Sequence, residues 1–277
     1  MRVLLRHLWV LTTEELYDLL GRKRAVLSLA LYIGVLGFSM HWFSRLQQRF
    51  EPVTDLVKAG PKLDVLRQQL SGYGLEGTLD FVVELSRYPA SLWMFQIFSL
   101  LALPAIVGLV SCDMVAMDID RGTLRFVLQR SSRLAYYLAK CLAHTALFVG
   151  LQFISVAGLI VMCAVTNAQF NVGDYLRLGA LYFGVAVPFI FFLVASTEWV
   201  SSWSRRPMSA IVRLNVLWMV FFVVLGWEPL LSPLTSYSLI GLVLPFDRYL
   251  LESAASLLAW GAGFALIGLG GFLRRSV

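Results

Sequence analysis

The sequence predicts an all-α polytopic membrane protein with six transmembrane helices, and three observations lead there. The first is composition: 58% of the 277 residues are hydrophobic, 14% are charged, and the mean hydropathy is +0.74. A soluble domain carries roughly 25% charged residues, so much of the surface needed to dissolve this chain is missing. The second is that long runs without Asp, Glu, Lys or Arg recur along the chain, several of them near the length of about 20 residues that crosses a bilayer. The third is a charged block, Cys112 to Lys140, set between two such runs. A block of that polarity must sit in water. At this span length the chain has room for roughly six or seven helices and no separate soluble domain.

Residues 1–24 come first. They hold Arg2, Arg6, Glu14, Glu15, Asp18, Arg22, Lys23 and Arg24, too polar for the apolar stretch of a cleavable signal. Leu4, Leu5, Leu8, Leu16, Leu19 and Leu20 recur at three- and four-residue spacings, which predicts an amphipathic helix lying in the membrane interface. Thr12 and Glu15 have capping-box spacing, so a break or restart is expected near Thr12. Span 1 is 25–43. Residues 44–87 are polar and mixed in sign, with Gly60-Pro61 as a breaker, and form an extracytoplasmic loop.

Span 2 is 89–117, the charged loop occupies 118–133, and span 3 is 140–165. Span 4 is 176–202, with Pro188 as a kink and not a stop. Span 5 is 208–227, with Arg213 near enough to its end to snorkel. Residues 229–250 are interrupted by Pro229, Pro233 and Pro245 and are read as a re-entrant or interfacial outer element. Span 6 is 252–273.

Basic residues orient the bundle. Arg121, Arg125, Arg130, Arg133, Lys140, Arg205, Arg206, Arg274 and Arg275 fall in or beside short loops on one side, which places that side and both termini in the cytoplasm. Net charge is +6 and the isoelectric point about 9.4. The basic residues form no aromatic-interleaved patch, so membrane lipid is the expected anionic partner and nucleic acid is not. Cys112, Cys141 and Cys163 lie in or beside apolar runs without zinc spacing, as buried small side chains do.

Within the charged loop, Gly122 breaks the outgoing helix and Thr123 is placed to cap the next one. Leu124, Val127 and Leu128 form an i, i+3, i+4 apolar strip, with Arg125, Arg130 and Arg133 facing elsewhere. An exposed strip of this kind, rimmed by charge, suits a partner's groove. The competing reading is a loop lying flat on lipid.

The loop resembles that of type-2 ABC transporter membrane subunits, mostly exporters. Asp113 matches the family's first loop acid, Asp118 and Asp120 its acidic pair, Gly122-Thr123-Leu124 its signature tripeptide, and Arg133 and Lys140 its closing bases. Glu15, Leu16, Asp18, Leu20, Arg22 and Arg24 resemble the family's interfacial elbow helix. Two departures stand out. Arg130 occupies the place where a proline often precedes the closing Arg, and Asp118 stands where Glu is commoner.

The resemblance implies a permease subunit whose cytoplasmic coupling helix, Gly122 to about Arg133, seats in a separate ATPase subunit. The residues it assigns to coupling are Asp118, Asp120, Gly122, Thr123, Leu124, Arg125, Val127, Leu128 and Arg133, with Glu15, Asp18 and Arg22 as elbow contacts. Two ATPase copies would bind ATP and magnesium, this chain itself holding no cofactor. A second permease, identical or related, would complete the pathway, and an extracytoplasmic accessory protein is a further candidate partner. The implied location is the inner membrane of the cell. The chain has no G-x-x-x-x-G-K-[ST] phosphate loop, and the long EAA-type loop of importers is absent, which favours export. H-E-x-x-H and G-x-S-x-G are absent too, so no catalytic or metal site is assigned. The alternatives are a membrane-embedded lipid-modifying enzyme and a scaffold that recruits a cytoplasmic partner.

A few residues stand apart. Glu198, near the inner end of span 4, and Arg213 make a possible intramembrane polar site. The plainer expectation is a Glu198 salt bridge to Arg205 or Arg213, because an uncompensated charge at depth is costly. His144 is expected to be a hydrogen-bonded bundle residue. Gly261, Gly268 and Gly271 allow close helix approach, within the bundle or against a second subunit.

Overall fold

The computed structural model describes residues 2–23, 25–38, 41, 90–112, 114–166, 172–226 and 250–274, and no strand occurs among them. In chain order the helices are α1 Arg2–Gly21, α2 Ala25–Phe38, α3 Ala90–Ser111, α4 Ala116–Asp120, α5 Thr123–Arg130, α6 Arg133–Thr166, α7 Val172–Trp203, α8 Pro207–Gly226 and α9 Leu250–Arg274. Four segments are long and apolar enough to cross a membrane: Phe98–Asp120, Arg133–Val165, Tyr175–Trp203 and Ala254–Arg274. Ala25–Phe38 and Pro207–Val220 are shorter apolar helices. The 44–87 loop and nearly all of the 229–250 element lie outside the described residues.

Three boundaries differ from expectation for local reasons. There is no break at Thr12: α1 runs through it, and the Thr12 hydroxyl donates to the Leu8 carbonyl at 2.7 Å within the helix. The second span does not continue as one helix to 117; it ends at Ser111, and α4 starts after a turn. The third begins at Arg133, about two turns before 140, because Ser132 Oγ accepts the Ala135 N–H at 3.1 Å and caps the helix early. Pro188 lies inside α7, which continues past it.

α7 is the central helix. It packs against α9, α6, α3 and α8, and Val185, Ala186 and Phe189 to Val194 are buried or nearly so. Glycines let α9 approach it. A Cβ on Gly261 would fall 2.7 Å from the Phe191 ring, and one on Gly268 3.0 Å from Trp199 Cα while colliding with the Tyr137 hydroxyl. A Cβ on Gly271 would strike the Trp203 indole. These glycines therefore serve packing inside this bundle.

One polar cluster, invisible as a motif, joins four helices. Tyr32 of α2 donates to Gln152 Oε1 of α6 at 2.7 Å, Gln152 Nε2 donates to the Tyr182 hydroxyl of α7 at 2.7 Å, and Tyr182 donates to Ser99 Oγ of α3 at 2.7 Å. Ser99 closes the ring to Gln152 Oε1 at 3.1 Å. All four side chains are buried. Bonds of this kind inside a membrane average roughly 0.6 kcal/mol each, and their geometry also fixes which faces of the helices meet.

Candidate functional site

The charged loop is a folded unit fastened to the end of the bundle. Below α3 the chain turns at Met114, which is fully buried, and α4 then begins without a side-chain cap of its own. Ser201 of α7 takes over that role: its Oγ accepts the backbone N–H groups of Val115 at 3.0 Å and Ala116 at 3.1 Å. Free N–H groups at a helix start need an acceptor, and here it comes from another helix. Gly122 follows α4 in the left-handed conformation, φ 71° and ψ 4°, where side chains with a Cβ are disfavoured. No atom lies within 4 Å of where its Cβ would be, so backbone angle and not crowding requires glycine.

Thr123 opens α5 as its first helical residue and ties backward instead of capping forward. Its Oγ1 donates to the Asp118 carbonyl and to Asp118 Oδ1, at 3.3 and 3.2 Å. At the far end, the Ser131 N–H and hydroxyl both return to the Val127 carbonyl. Arg133 Nη1 donates to the Leu273 carbonyl in the last turn of α9 at 3.0 Å, a favourable place for a cation.

The apolar strip of α5 points the opposite way from expectation. Leu124 is 1% exposed and packs with Met114, Val115, Tyr136, Tyr137 and Phe272, while Val127 and Leu128 rest half-buried against the same cluster. Leu124 anchors the loop on the bundle's own end, with Val127 and Leu128 leaning on the same cluster. The outward face carries Arg125, Phe126, Gln129 and Arg130, and Phe126 is 71% exposed. An open groove of about 450 Å³ runs beside it, lined by Arg125, Leu128, Gln129, Ser131, Ser132 and Arg133.

Charge joins the loop to the first helix. Lys140 Nζ lies 2.9 Å from Asp118 Oδ2 and 2.9 Å from Glu15 Oε1, with Glu15 Oε2 at 3.0 Å. Asp118 also accepts from the Tyr136 hydroxyl, and the ammonium sits 5.3 Å from the Tyr136 ring centre. Glu15 reaches Arg22 at 3.8 Å, and Arg22 Nε donates to Asp18 Oδ2 at 2.9 Å. Lys140 is itself only 3% exposed. One buried cation thus gathers Asp118 and Glu15, with Asp18 and Arg22 completing the chain.

Asp120 is exposed beyond this network. Glu198 and Arg213 do not form a pair. Arg213 is exposed and gives Nη1 to the Trp203 carbonyl at 3.1 Å, Arg205 is exposed, and Glu198 is fully buried. His144 does bond within the bundle, Nδ1 to the Lys140 carbonyl at 3.0 Å.

Sequence reasoning did not weight Tyr136, Phe126 or Ser201. The i, i+4 spacing of Tyr136 and Lys140 was a usable signal, whereas nothing in the sequence marks Ser201 as a cap. Among the described residues no group of three or more His, Cys, Asp or Glu is placed to hold a metal ion. A family model described as ABC-2 family transporter protein matches residues 9–241. No curated protein matches the chain.

Proposed function

The chain belongs to the ABC-2 family of transporter proteins, and on that premise we propose that it is the permease subunit of an ATP-driven exporter, with ATP hydrolysed on a separate subunit. Two permease copies, identical or related, enclose the pathway, and two ATPases dock beneath them. Six spans cross the inner membrane with both termini in the cytoplasm, the two shorter apolar helices completing the count. α1 is the interfacial elbow and α5 the coupling helix.

The observation that carries this reading is the way α5 is held. Its apolar side is seated on the bundle, and its outer side presents Phe126 between Arg125, Gln129 and Arg130. A free loop would absorb a push from a partner. This one is joined to α7 through Ser201, to α9 through Arg133, and to α1 through Lys140 and Glu15. Closure of an ATPase pair against the Phe126 face therefore displaces several helices together, which is what rigid-body switching between inward and outward states requires.

The test is affinity purification of the tagged chain from its own membranes, followed by ATP-dependent transport in vesicles. An ATPase bearing a phosphate loop should co-purify. Its absence, with the chain folded and inserted, would remove the exporter reading in favour of a scaffold or a lipid-modifying enzyme. Orientation is checked by labelling single cysteines: Leu66→Cys should react from outside and Phe126→Cys only from inside.

A further inference from the structure

The buried polar ring contains two closed circuits, one through Tyr32 and one that leaves it out. The longer runs from Gln152 Nε2 to Tyr182, on to Ser99, on to Tyr32, and back to Gln152 Oε1, every step 2.7 Å. The shorter omits Tyr32, because Ser99 Oγ also reaches Gln152 Oε1 directly, at 3.1 Å. Rotation of the Ser99 hydroxyl alone exchanges the first circuit for the second. In either circuit Gln152, Tyr182 and Ser99 each donate one hydrogen bond within the ring and accept one or more.

The four helices are therefore unequal. Withdrawing Tyr182 of α7 takes the acceptor from Gln152 Nε2 and the donor from Ser99. Withdrawing Ser99 of α3 takes the acceptor from Tyr182, and withdrawing Gln152 of α6 opens both circuits. Each of these strands a polar group inside the bundle, where an unmade bond costs more than a made one contributes. Withdrawing Tyr32 of α2 strands nothing on the other three helices.

α2 is also the helix with the narrowest hold. Among its described residues only Ala25, Tyr32 and Leu36 are buried, all on one face, while Leu27, Leu31, Ile33, Val35 and Phe38 are exposed. A Cβ on Gly34 or Gly37 would meet nothing within 4 Å, so at those points no neighbour interlocks with α2 as α7 does with α9.

We propose that Tyr32 is a detachable latch and that α2 is the helix this bundle releases: it separates from α3, α6 and α7 while those three stay joined through the short circuit. The release has a handle. The Arg22 N–H bonds the Asp18 carbonyl and the Val26 N–H bonds the Arg22 carbonyl, so a displacement of α1 at Glu15, which Lys140 holds, is carried into α2. This division into a fixed trio and one movable helix is a property of the packed bundle and holds whatever the chain carries.

The test measures distances between spin labels in the purified full chain in lipid. One pair joins α2 to α6, through Leu31→Cys and Ile154→Cys; the reference pair joins α6 to α7, through Ile154→Cys and Leu176→Cys. All three positions are exposed, and the native cysteines, which are buried, are left in place. Tyr32→Phe should raise the share of long α2–α6 distances about threefold, the equivalent of one hydrogen bond inside a membrane, and leave the α6–α7 pair unmoved. Tyr182→Phe should broaden the α6–α7 pair and lower the unfolding temperature more than Tyr32→Phe does. An α2–α6 distribution unchanged by Tyr32→Phe overturns the proposal, as does one that shifts together with the α6–α7 pair. A Tyr32→Phe chain that fails to fold also overturns it, because the trio would then depend on Tyr32. Failure of Tyr182→Phe to fold supports the core circuit, and the two Tyr32→Phe distances then decide alone.

Discussion

Lys140 and Glu15 are 125 positions apart in sequence and 2.9 Å apart at their charged atoms. The contact fastens the first helix to the start of α6, and because Lys140 also holds Asp118, it fastens both to the charged loop. Lys140→Met should leave Asp118 without its cation and Glu15 with only the more distant Arg22. We expect a loss of about 3 kcal/mol, the lower end for a broken buried pair because both acids keep some contact with solvent. Thermal unfolding of the purified chain measures this. The triple change Lys140→Met, Glu15→Gln, Asp118→Asn should recover most of it, since no unpaired charge remains; a triple variant as unstable as the single one would mean that packing and not charge is at stake.

Gly122 tests the loop's backbone. With φ at 71° and no neighbour near a would-be Cβ, the cost of a side chain is conformational, roughly 1–2 kcal/mol. Asn tolerates this region better than Ala, and Val tolerates it least. Transport or ATPase co-purification should therefore decline in the order Gly, Asn, Ala, Val. A ranking by side-chain volume alone, with Asn worse than Ala, would contradict the conformational account.

The two faces of α5 should separate by phenotype. Phe126→Asp alters a 71% exposed side chain and should abolish ATPase co-purification while the chain's own unfolding temperature stays unchanged. Leu124→Asp places a carboxyl in a sealed apolar cluster and should destabilise the chain itself. If both variants keep ATPase bound, the partner docks elsewhere.

Gly268 offers a packing test. Gly268→Ala sets a methyl group against the Tyr137 hydroxyl and 3.0 Å from Trp199 Cα, and overpacking of this kind costs about 1–3 kcal/mol. Adding Tyr137→Phe removes the first obstruction but not the second. The double variant should regain part of the stability, and a double-mutant cycle showing simple additivity would rule out the contact.

Gln152 is the hub of the buried polar ring. Gln152→Leu leaves the hydroxyls of Tyr32, Ser99 and Tyr182 competing for fewer partners, at a cost of about 1–3 kcal/mol. Helix content should persist while the unfolding temperature drops. Combining it with Tyr182→Phe should cost less than the sum of the two single changes.

The residues that determine helix and membrane did so locally, and could be read in order. Hydropathy marks α3, α6, α7 and α9 because a bilayer imposes the same length and apolarity on any crossing helix. Gly122 announced its break because only the backbone matters there. The loop's acids and bases identified the family. What the sequence left open was direction. Leu124, Val127 and Leu128 make an apolar strip in either case, but whether a strip meets a partner or its own bundle depends on Met114, Tyr137 and Phe272, which come from other elements. Lys140 reads as a loop-closing base until α1 brings Glu15 to it. Glu198 invites a salt bridge to Arg213 four or five turns of chain away, and only the structure shows Arg213 turned to the Trp203 carbonyl instead. Periodicity encodes which side of a helix is apolar; the partner that covers that side is chosen by contacts between residues far apart in the chain, and these exist only once the helices have packed.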